Sequence, residues 1–437
     1  MNKTIRQVTP STRICADIRL PGSKSVTHRA LLMAALATGP STIRNPLRAE
    51  DTVLTATALE QLGARIHWDA ASEQIQLTPP GRRWLEPQQA IMLGNSGTSM
   101  RLLLGLVATG AGKFLLDGSP RLRERPIGPI LDALQKLGIS HRCLQNPGFP
   151  PVEIESRGLQ GGEVVVDASQ SSQFLSALLL ASPCAAGDMR VGWRQPVASF
   201  PYVRLTLAMM QELGIDYAWS SPSQILVKAP QSYPPMDYTV EADCSSASYF
   251  WAAAALTGGE VLTHPISPQS VQGDCRLLEV LRQMGCQVEW REAGVLVRRD
   301  GRLHAVDLDM NEMPDMVPTL AVVAACAEGE SKIRNVAHLR VKESDRLHVV
   351  TTELRKFGVQ VEEFADGLKI VGGRLQTPSS PIESHDDHRI AMAFAILGLC
   401  VEGVIISGAE AVAKSFPTFW ESFDSLYTAR PKVTEQV

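Results

Sequence analysis

The chain has 437 residues, of which 44% are apolar and 20% charged, and its net charge is −4. These values exclude disorder, collagen and coiled coil as the main theme. The lack of any basic run argues against a protein built to coat nucleic acid. From the N-terminus, MNKTIRQVTPSTRICADIRL shows no apolar h-region or small-residue cleavage pattern, so no signal peptide is expected. No apolar stretch reaches about 18 residues, so no membrane span is expected. The eight cysteines are scattered, without Cys-x-x-Cys or zinc spacing. They read as free, buried thiols in a reducing cytoplasm.

Along the chain, an Ala- and Leu-rich run closing on glycine recurs six times, at Gly39, Gly110, Gly187, Gly258, Gly329 and Gly403. The spacings are 71, 77, 71, 71 and 74 residues. A second pattern interleaves with it: an amphipathic segment, a glycine, then a β-type run. Its glycines are Gly63, Gly138, Gly214, Gly285 and Gly358, again about 73 residues apart. The first runs are apolar nearly all round and predict buried helices with glycine at an αL C-cap. The second predict surface helices, each followed by a strand such as CQVEW or VQVEEF. Six units of buried helix, surface helix and strands, grouped three per domain, account for the chain.

Polar segments stand before the buried runs: PGSKSVTHR, GNSGTSMR, DASQSSQ, ADCSSAS, MNEMPD and HDDHR. Serine, threonine and asparagine there are ordinary N-caps. Capping does not explain Lys24, Arg29, Arg101 and Arg389, read as lying in the first helical turn, where a cation opposes the helix dipole. Cations beside helix N-termini suit a phosphate or carboxylate ligand. RLRERPIG adds three arginines before a helix, with Pro126 near its start. LRVKESDRL adds Arg340, Lys342 and Arg346, the last two spaced to share a helix face. AKSFPTFW adds Lys414.

Asp315, Glu343 and His388 are the candidates for acid–base work, each with an alternative structural reading as a cap, a salt-bridge partner or a buried histidine. The spacing of the Walker phosphate loop, a G-x-G-x-x-G after a strand, H-E-x-x-H and G-x-S-x-G do not occur. The residues thus describe a six-repeat protein for small, multiply anionic ligands, with no metal or cofactor indicated.

LPGSKSVTHRALLMAALATG, LGNSGTSMRLL, RERPIG, SSQFLSALLLA, DMNEMPDMVPTLA, RVKESDRL, HDDHRIAMAF and KSFP occur in that order. On these motifs, over nearly its whole length, the chain resembles the 5-enolpyruvylshikimate-3-phosphate synthase family, whose members are enolpyruvyl transferases. The resemblance implies an α/β fold: a two-domain inside-out α/β barrel of six βαβαββ repeats, three per domain. One domain would hold 1–22 plus 241–437 and the other 23–240, with the active site in the cleft between them. It implies transfer of the enolpyruvyl group of phosphoenolpyruvate to the 5-hydroxyl of shikimate 3-phosphate with release of phosphate. This is a step of the shikimate pathway to chorismate and aromatic amino acids, and the target of glyphosate. A cytoplasmic monomer with no cofactor, no metal, no nucleic-acid partner and no membrane partner is expected.

By motif match, Lys24, Ser25, Arg29, Ser171, Ser172, Gln173, Ser199, Asp315 and Lys342 would hold shikimate 3-phosphate. Lys24, Gly97, Arg125, Gln173, Arg346, Arg389 and Lys414 would hold phosphoenolpyruvate. Asp315 would be the base at the 5-hydroxyl and Glu343 the acid at the methylene carbon. Lys24 would steady charge on both substrates. His338 stands where relatives often carry Asn, so it is left outside this set. Ser96 and Leu102 differ from the Ala and Pro of one subgroup, which leaves the glyphosate-sensitivity class open. Two rivals share parts of the pattern. A sister transferase acting on UDP-N-acetylglucosamine usually has a reactive cysteine before its RERP region, and AGKFLLDGSPRLRERP has none. A non-catalytic repeat scaffold would explain the period, but not Asp315, Glu343 and the cations at helix entrances.

Overall fold

The computed structural model describes residues 3–81 and 83–428. The polar tail ARPKVTEQV, which the sequence alone leads one to expect to fray, lies outside the described residues. Two compact units divide the chain. An inserted unit comprises Gly22–Val240 and Val341–Glu343, and a terminal unit comprises Met1–Pro21, Glu241–Arg340 and Ser344–Val437.

The inserted unit contains helices α1 (Lys24–Ala35), α2 (Glu50–Gln61), α3 (Gly97–Val107), α4 (Gly128–Lys136), α5 (Gln173–Ala181) and α6 (Pro201–Glu212). The terminal unit contains α7 (Cys244–Thr257), α8 (Leu277–Gln283), α9 (Val317–Ala324), α10 (Arg346–Arg355), α11 (His388–Leu397) and α12 (Phe419–Ser425). The odd-numbered helices are the six apolar runs. Almost every residue of each is buried, because a helix apolar on all sides can be covered only by protein on all sides. Within the inserted unit α1, α3 and α5 pack on one another, and within the terminal unit α7, α9 and α11 do the same.

Sheets supply the outer cover. In the inserted unit one sheet runs Ile91–Met92, Ala111–Asp117, Val152–Arg157, Ser140–Cys143. Its first pair is parallel, as a strand–helix–strand crossover requires, and the other pairs are antiparallel. The sheet starting at Gly162–Asp167 and, in the terminal unit, the sheet starting at Asp307–Asp309 repeat this order. Gly162–Asp167 alternates exposed and buried positions along most of its length, as a strand with one face on the core should.

Two sheets exchange their opening strands. Cys15–Arg19 precedes α1 but pairs in parallel with Glu260–His264 of the terminal unit. Asp237–Thr239 precedes α7 but pairs in parallel with Ser41–Arg44 of the inserted unit. The sixth repeat is shortened: Ile5–Gln7 lies antiparallel to Ile405–Ser407, which pairs in parallel with Ile382–Glu383.

The glycines separate into two physical classes. Gly63, Gly138, Gly214, Gly285 and Gly358, after the surface helices, all have positive φ, which a Cβ disfavours. Among the glycines closing the buried runs, Gly258 is a left-handed C-cap, as expected. Gly39, Gly110 and Gly187 are not left-handed, and α1, α3 and α5 end before them in right-handed residues. At Gly110 the requirement is space: a Cβ would lie 2.1 Å from Trp84 Cδ1.

One cysteine expectation needs correction. Cys244 and Cys275 form a disulfide, rather than two free thiols. The start of α7 and the short helical turn Gly273–Arg276 bring their Cα atoms to 5.4 Å, within disulfide range, from 31 residues apart in sequence. The other six cysteines are free, but of these only Cys286 is buried as expected, Cys400 being exposed and the other four half-buried.

Candidate active site

In the inserted unit the polar residues gather at the N-terminal ends of the buried helices. Lys24 opens α1, and its Nζ meets Asp51 Oδ2 at 3.1 Å. Ser23 and Ser172, at the N-cap positions of α1 and α5, make no capping bond. Ser96 caps α3 by accepting from the Ser99 N–H. Capping therefore does not explain Ser23 or Ser172, whereas Ser171 accepts from the Gln173 N–H at 3.2 Å at the start of α5. Lys24 and Arg389 lie in the first turn of their helices. Arg29 and Arg101 lie one turn further in, where the expectation had placed them at the entrance.

Arg29 ties three helices together. It donates to Thr206 Oγ1 at 2.8 Å on α6, Ser176 Oγ at 3.1 Å on α5, and the Ser25 carbonyl at 2.8 Å. Burial pushes its guanidinium down to about 10, still charged at neutral pH. Arg101 donates to Gln173 Oε1 at 2.9 Å, while Gln173 Nε2 donates to Thr98 Oγ1 at 2.9 Å. Burial pushes Arg101 down to about 9; neighbouring Arg125 adds to this and Glu343 opposes it. Two charged groups held in this dry setting are costly unless a ligand or polar partners repay them.

Arg125 donates to the Asn95 carbonyl at 2.9 Å, and its Nη2 lies 3.5 Å from Glu343 Oε1. Arg121 holds the same strip, donating to the Lys342 carbonyl at 2.9 Å. Lys342 does not share a helix with Arg346: a short helical turn ends at Val341, and α10 starts at Arg346. Pro126 precedes α4, whose N-terminal proline is Pro129. Gly97 faces the Arg125 guanidinium, and a Cβ there would lie 2.5 Å from Nη2. Ser171 and Ser199 are buried, and Ser199 takes φ 56°, a strained value for serine, just before α6.

In the terminal unit Asp315 stands in the short helical turn before α9. Its Oδ1 lies 2.9 Å from Arg346 Nη1, and its Oδ2 lies 2.9 Å from Arg389 Nη2. Arg346 is 1% exposed at its side chain and also pairs with the fully buried Asp387 at 2.8 Å. Asp387 in turn caps α11, accepting from the Arg389 N–H at 3.0 Å, and accepts from Ser344 Oγ at 3.0 Å. Lys414 is buried at the end of the segment Ala409–Lys414. His388 is buried at the first position of α11, and His338 is buried in the turn Ala337–Val341.

Four contributors were not among the expected site residues. Asp51 and Asp387 pair the expected cations. Asp274 accepts from Ser245 Oγ, and its carboxyl is raised to about 6 by burial first and by Asp315 second. Tyr249 lies beside Arg389 and Arg346, and burial raises its hydroxyl. The doubled aspartate of HDDHR was the one sequence signal for Asp387. The assigned residues thus form two clusters: Lys24, Ser25, Arg29, Gly97, Arg125, Ser171, Ser172, Gln173, Ser199, Lys342 and Glu343 in the inserted unit, and Asp315, Arg346, Arg389 and Lys414 in the terminal unit. Among the described residues no group of acidic, histidine or cysteine side chains could hold a metal ion.

Comparison with known proteins identifies the family. The family model described as EPSP synthase (3-phosphoshikimate 1-carboxyvinyltransferase) matches residues 8–423. The 3-phosphoshikimate 1-carboxyvinyltransferase of Syntrophobacter fumaroxidans is 58% identical over 98% of this chain and 100% of its own. That of Nostoc punctiforme is 44% identical over 93% of this chain and 95% of its own. A solved EPSP synthase from Acinetobacter baumannii superposes with TM-score 0.78 at 31% identity, covering 97% of this chain and 98% of that one. The enolpyruvyl transferase NikO from Streptomyces tendae shares the fold, with TM-score 0.78 at 18% identity over 98% of both chains. The fold is the two-domain α/β architecture of six repeats that the motifs implied, and the chain belongs to the EPSP synthase (3-phosphoshikimate 1-carboxyvinyltransferase) family.

Proposed function

We propose that this chain transfers the enolpyruvyl group of phosphoenolpyruvate to the 5-hydroxyl of shikimate 3-phosphate and releases phosphate. The family match and the two clusters support this reading, in which both clusters serve one reaction. Lys24, Ser25, Arg29, Ser171, Ser172, Gln173, Ser199 and Lys342 hold shikimate 3-phosphate. Lys24, Gly97, Arg125, Gln173, Arg346, Arg389 and Lys414 hold phosphoenolpyruvate, with the arginines suited to bidentate pairing with carboxylate and phosphate.

The observation that carries the mechanism is Asp315, with each carboxylate oxygen on a guanidinium that is assigned to phosphoenolpyruvate. When the substrate's anionic groups take Arg346 and Arg389, Asp315 is released to accept a proton. The 5-hydroxyl oxygen then bonds to C2 of phosphoenolpyruvate. Asp315 takes the hydroxyl proton, and Glu343 protonates the methylene carbon. The resulting tetrahedral intermediate then breaks down: Glu343 takes a proton back from the new methyl group, restoring the double bond, and phosphate leaves with the proton that Asp315 returns. Lys24 balances charge on both substrates. Holding two reactants together can supply up to about 7–11 kcal/mol of the barrier reduction. The chain acts on small molecules as a cytoplasmic monomer, as the family resemblance implies. Separately, no helix among the described residues is long and apolar enough to cross a membrane.

The test is phosphate release with both substrates, with each alone, and with UDP-N-acetylglucosamine in place of shikimate 3-phosphate. Release with the shikimate pair only is expected. Release with the sugar nucleotide pair, or none with either, would reject the proposal.

A further inference from the structure

The C-terminal ends of α9 and α11 lie away from the residues assigned to substrate. Each of these helices is about 12–15 Å long, and Asp315 and Arg389 sit at the opposite ends. Cys326 follows α9 by two residues, and Cys400 closes the short turn after α11. Each of the two thiols is the largest influence on the other's ionisation. They line a cleft of about 870 Å³ with Leu256, Arg299, Leu375 and Glu402. Cys400 is exposed and Cys326 half-buried, so small solutes can reach the pair. Arg299 donates to the carbonyls of Ala255 and Leu256 at the end of α7, which fixes a positive charge in the same cleft.

We propose that Cys326 and Cys400 are a peroxide-reactive dithiol that closes to a disulfide in this cleft. The Cys400 thiolate attacks one oxygen of hydrogen peroxide and the O–O bond breaks. Hydroxide leaves and is protonated to water, giving a sulfenic acid on Cys400. The Cys326 sulfur then attacks the Cys400 sulfur, its proton leaves, and the sulfenic oxygen departs as a second water. Two thiols are oxidised to one disulfide as one peroxide is reduced to two waters.

The electrostatics favour this order. Cys326 is the main influence holding the Cys400 thiol below its usual value, Arg299 adds to it, and desolvation of the sulfur opposes it, while Cys400 in turn holds the Cys326 thiol up. Burial instead pushes the Cys184 and Cys286 thiols up to about 11. Thiols raised in this way carry little thiolate at neutral pH, and the thiolate is the nucleophile, so those two react more slowly.

The experiment treats the full chain with limiting hydrogen peroxide at neutral pH, alkylates the remaining thiols and maps the peptides by mass. A Cys326–Cys400 cross-link, two hydrogens lighter than the reduced pair, is expected, with Cys184 and Cys286 alkylated. Both Cys326 and Cys400 found alkylated, or Cys184 and Cys286 oxidised as fast, would overturn the proposal. In Cys326→Ser a dimedone adduct should be trapped on Cys400. A folded variant that gives no adduct would also overturn it.

Discussion

The two clusters hold their cations differently. In the inserted unit, Lys24 and Arg125 meet carboxylates, those of Asp51 and Glu343, but Arg29 and Arg101 are bonded to neutral oxygens, those of hydroxyls, carbonyls and the Gln173 amide. In the terminal unit, Arg346 and Arg389 are bonded to carboxylates, those of Asp315 and Asp387. The first arrangement keeps buried positive charge for an anion to neutralise. The second is neutralised in advance, so a ligand must displace one of its own carboxylates. In the proposed reaction that exchange is how binding a substrate would release Asp315 as a base in the terminal unit, while Glu343 of the inserted unit would handle the second proton.

The sharpest break of this comparison is Asp315→Ala. Loss of a general base costs about 10²–10⁴-fold, so kcat should fall about a thousandfold in steady-state assays with no loss of substrate affinity. A variant with normal kcat and poor affinity would move Asp315 from the chemistry to simple binding. Next is Asp387→Ala, which leaves the buried Arg346 without one carboxylate. Unfolding in urea should show a loss of about 3–5 kcal/mol. A loss under 1 kcal/mol would mean that the carboxylate-held arginine is no more dependent on its partner than the hydroxyl-held one.

Gly97→Ala probes the inserted unit. Its new Cβ would press on the Arg125 guanidinium, a contact of 2.5 Å that side-chain movement must relieve. Glyphosate inhibition should weaken about tenfold or more, the effect of roughly 1–3 kcal/mol of overpacking. Equal inhibition constants would contradict the role given to Gly97. The smallest stability effect is expected for Thr206→Ala, which removes one neutral acceptor from Arg29. About 1 kcal/mol in urea unfolding is expected, well below the loss in Asp387→Ala.

Much of this was legible in the sequence because it is local. A helix apolar on every side has one physical destination, and six of them at one period specify a repeated fold. Cations next to helix starts, where capping and dipole favour the opposite, pointed to anion binding. What the sequence concealed is pairing at a distance. Asp51 lies 27 residues from Lys24, and Asp387 lies 41 from Arg346. No periodicity links such residues, since packing of separate helices joins them. The same holds for Cys244 and Cys275, which no spacing rule distinguishes from the other cysteines. Gly39, Gly110 and Gly187 misled in another way: a glycine after a helix fits a left-handed cap, yet at Gly110 the fold uses its missing side chain instead.

The most direct test is the dissociation constant of phosphoenolpyruvate, measured by calorimetry without shikimate 3-phosphate so that no turnover occurs, for wild type and Asp315→Ala. If Asp315 occupies the guanidiniums that the substrate must take, its removal leaves them easier to bind, and the variant should bind phosphoenolpyruvate several-fold more tightly despite its lost turnover. Clearly weaker binding by a folded variant would contradict the exchange of Asp315 for substrate on Arg346 and Arg389.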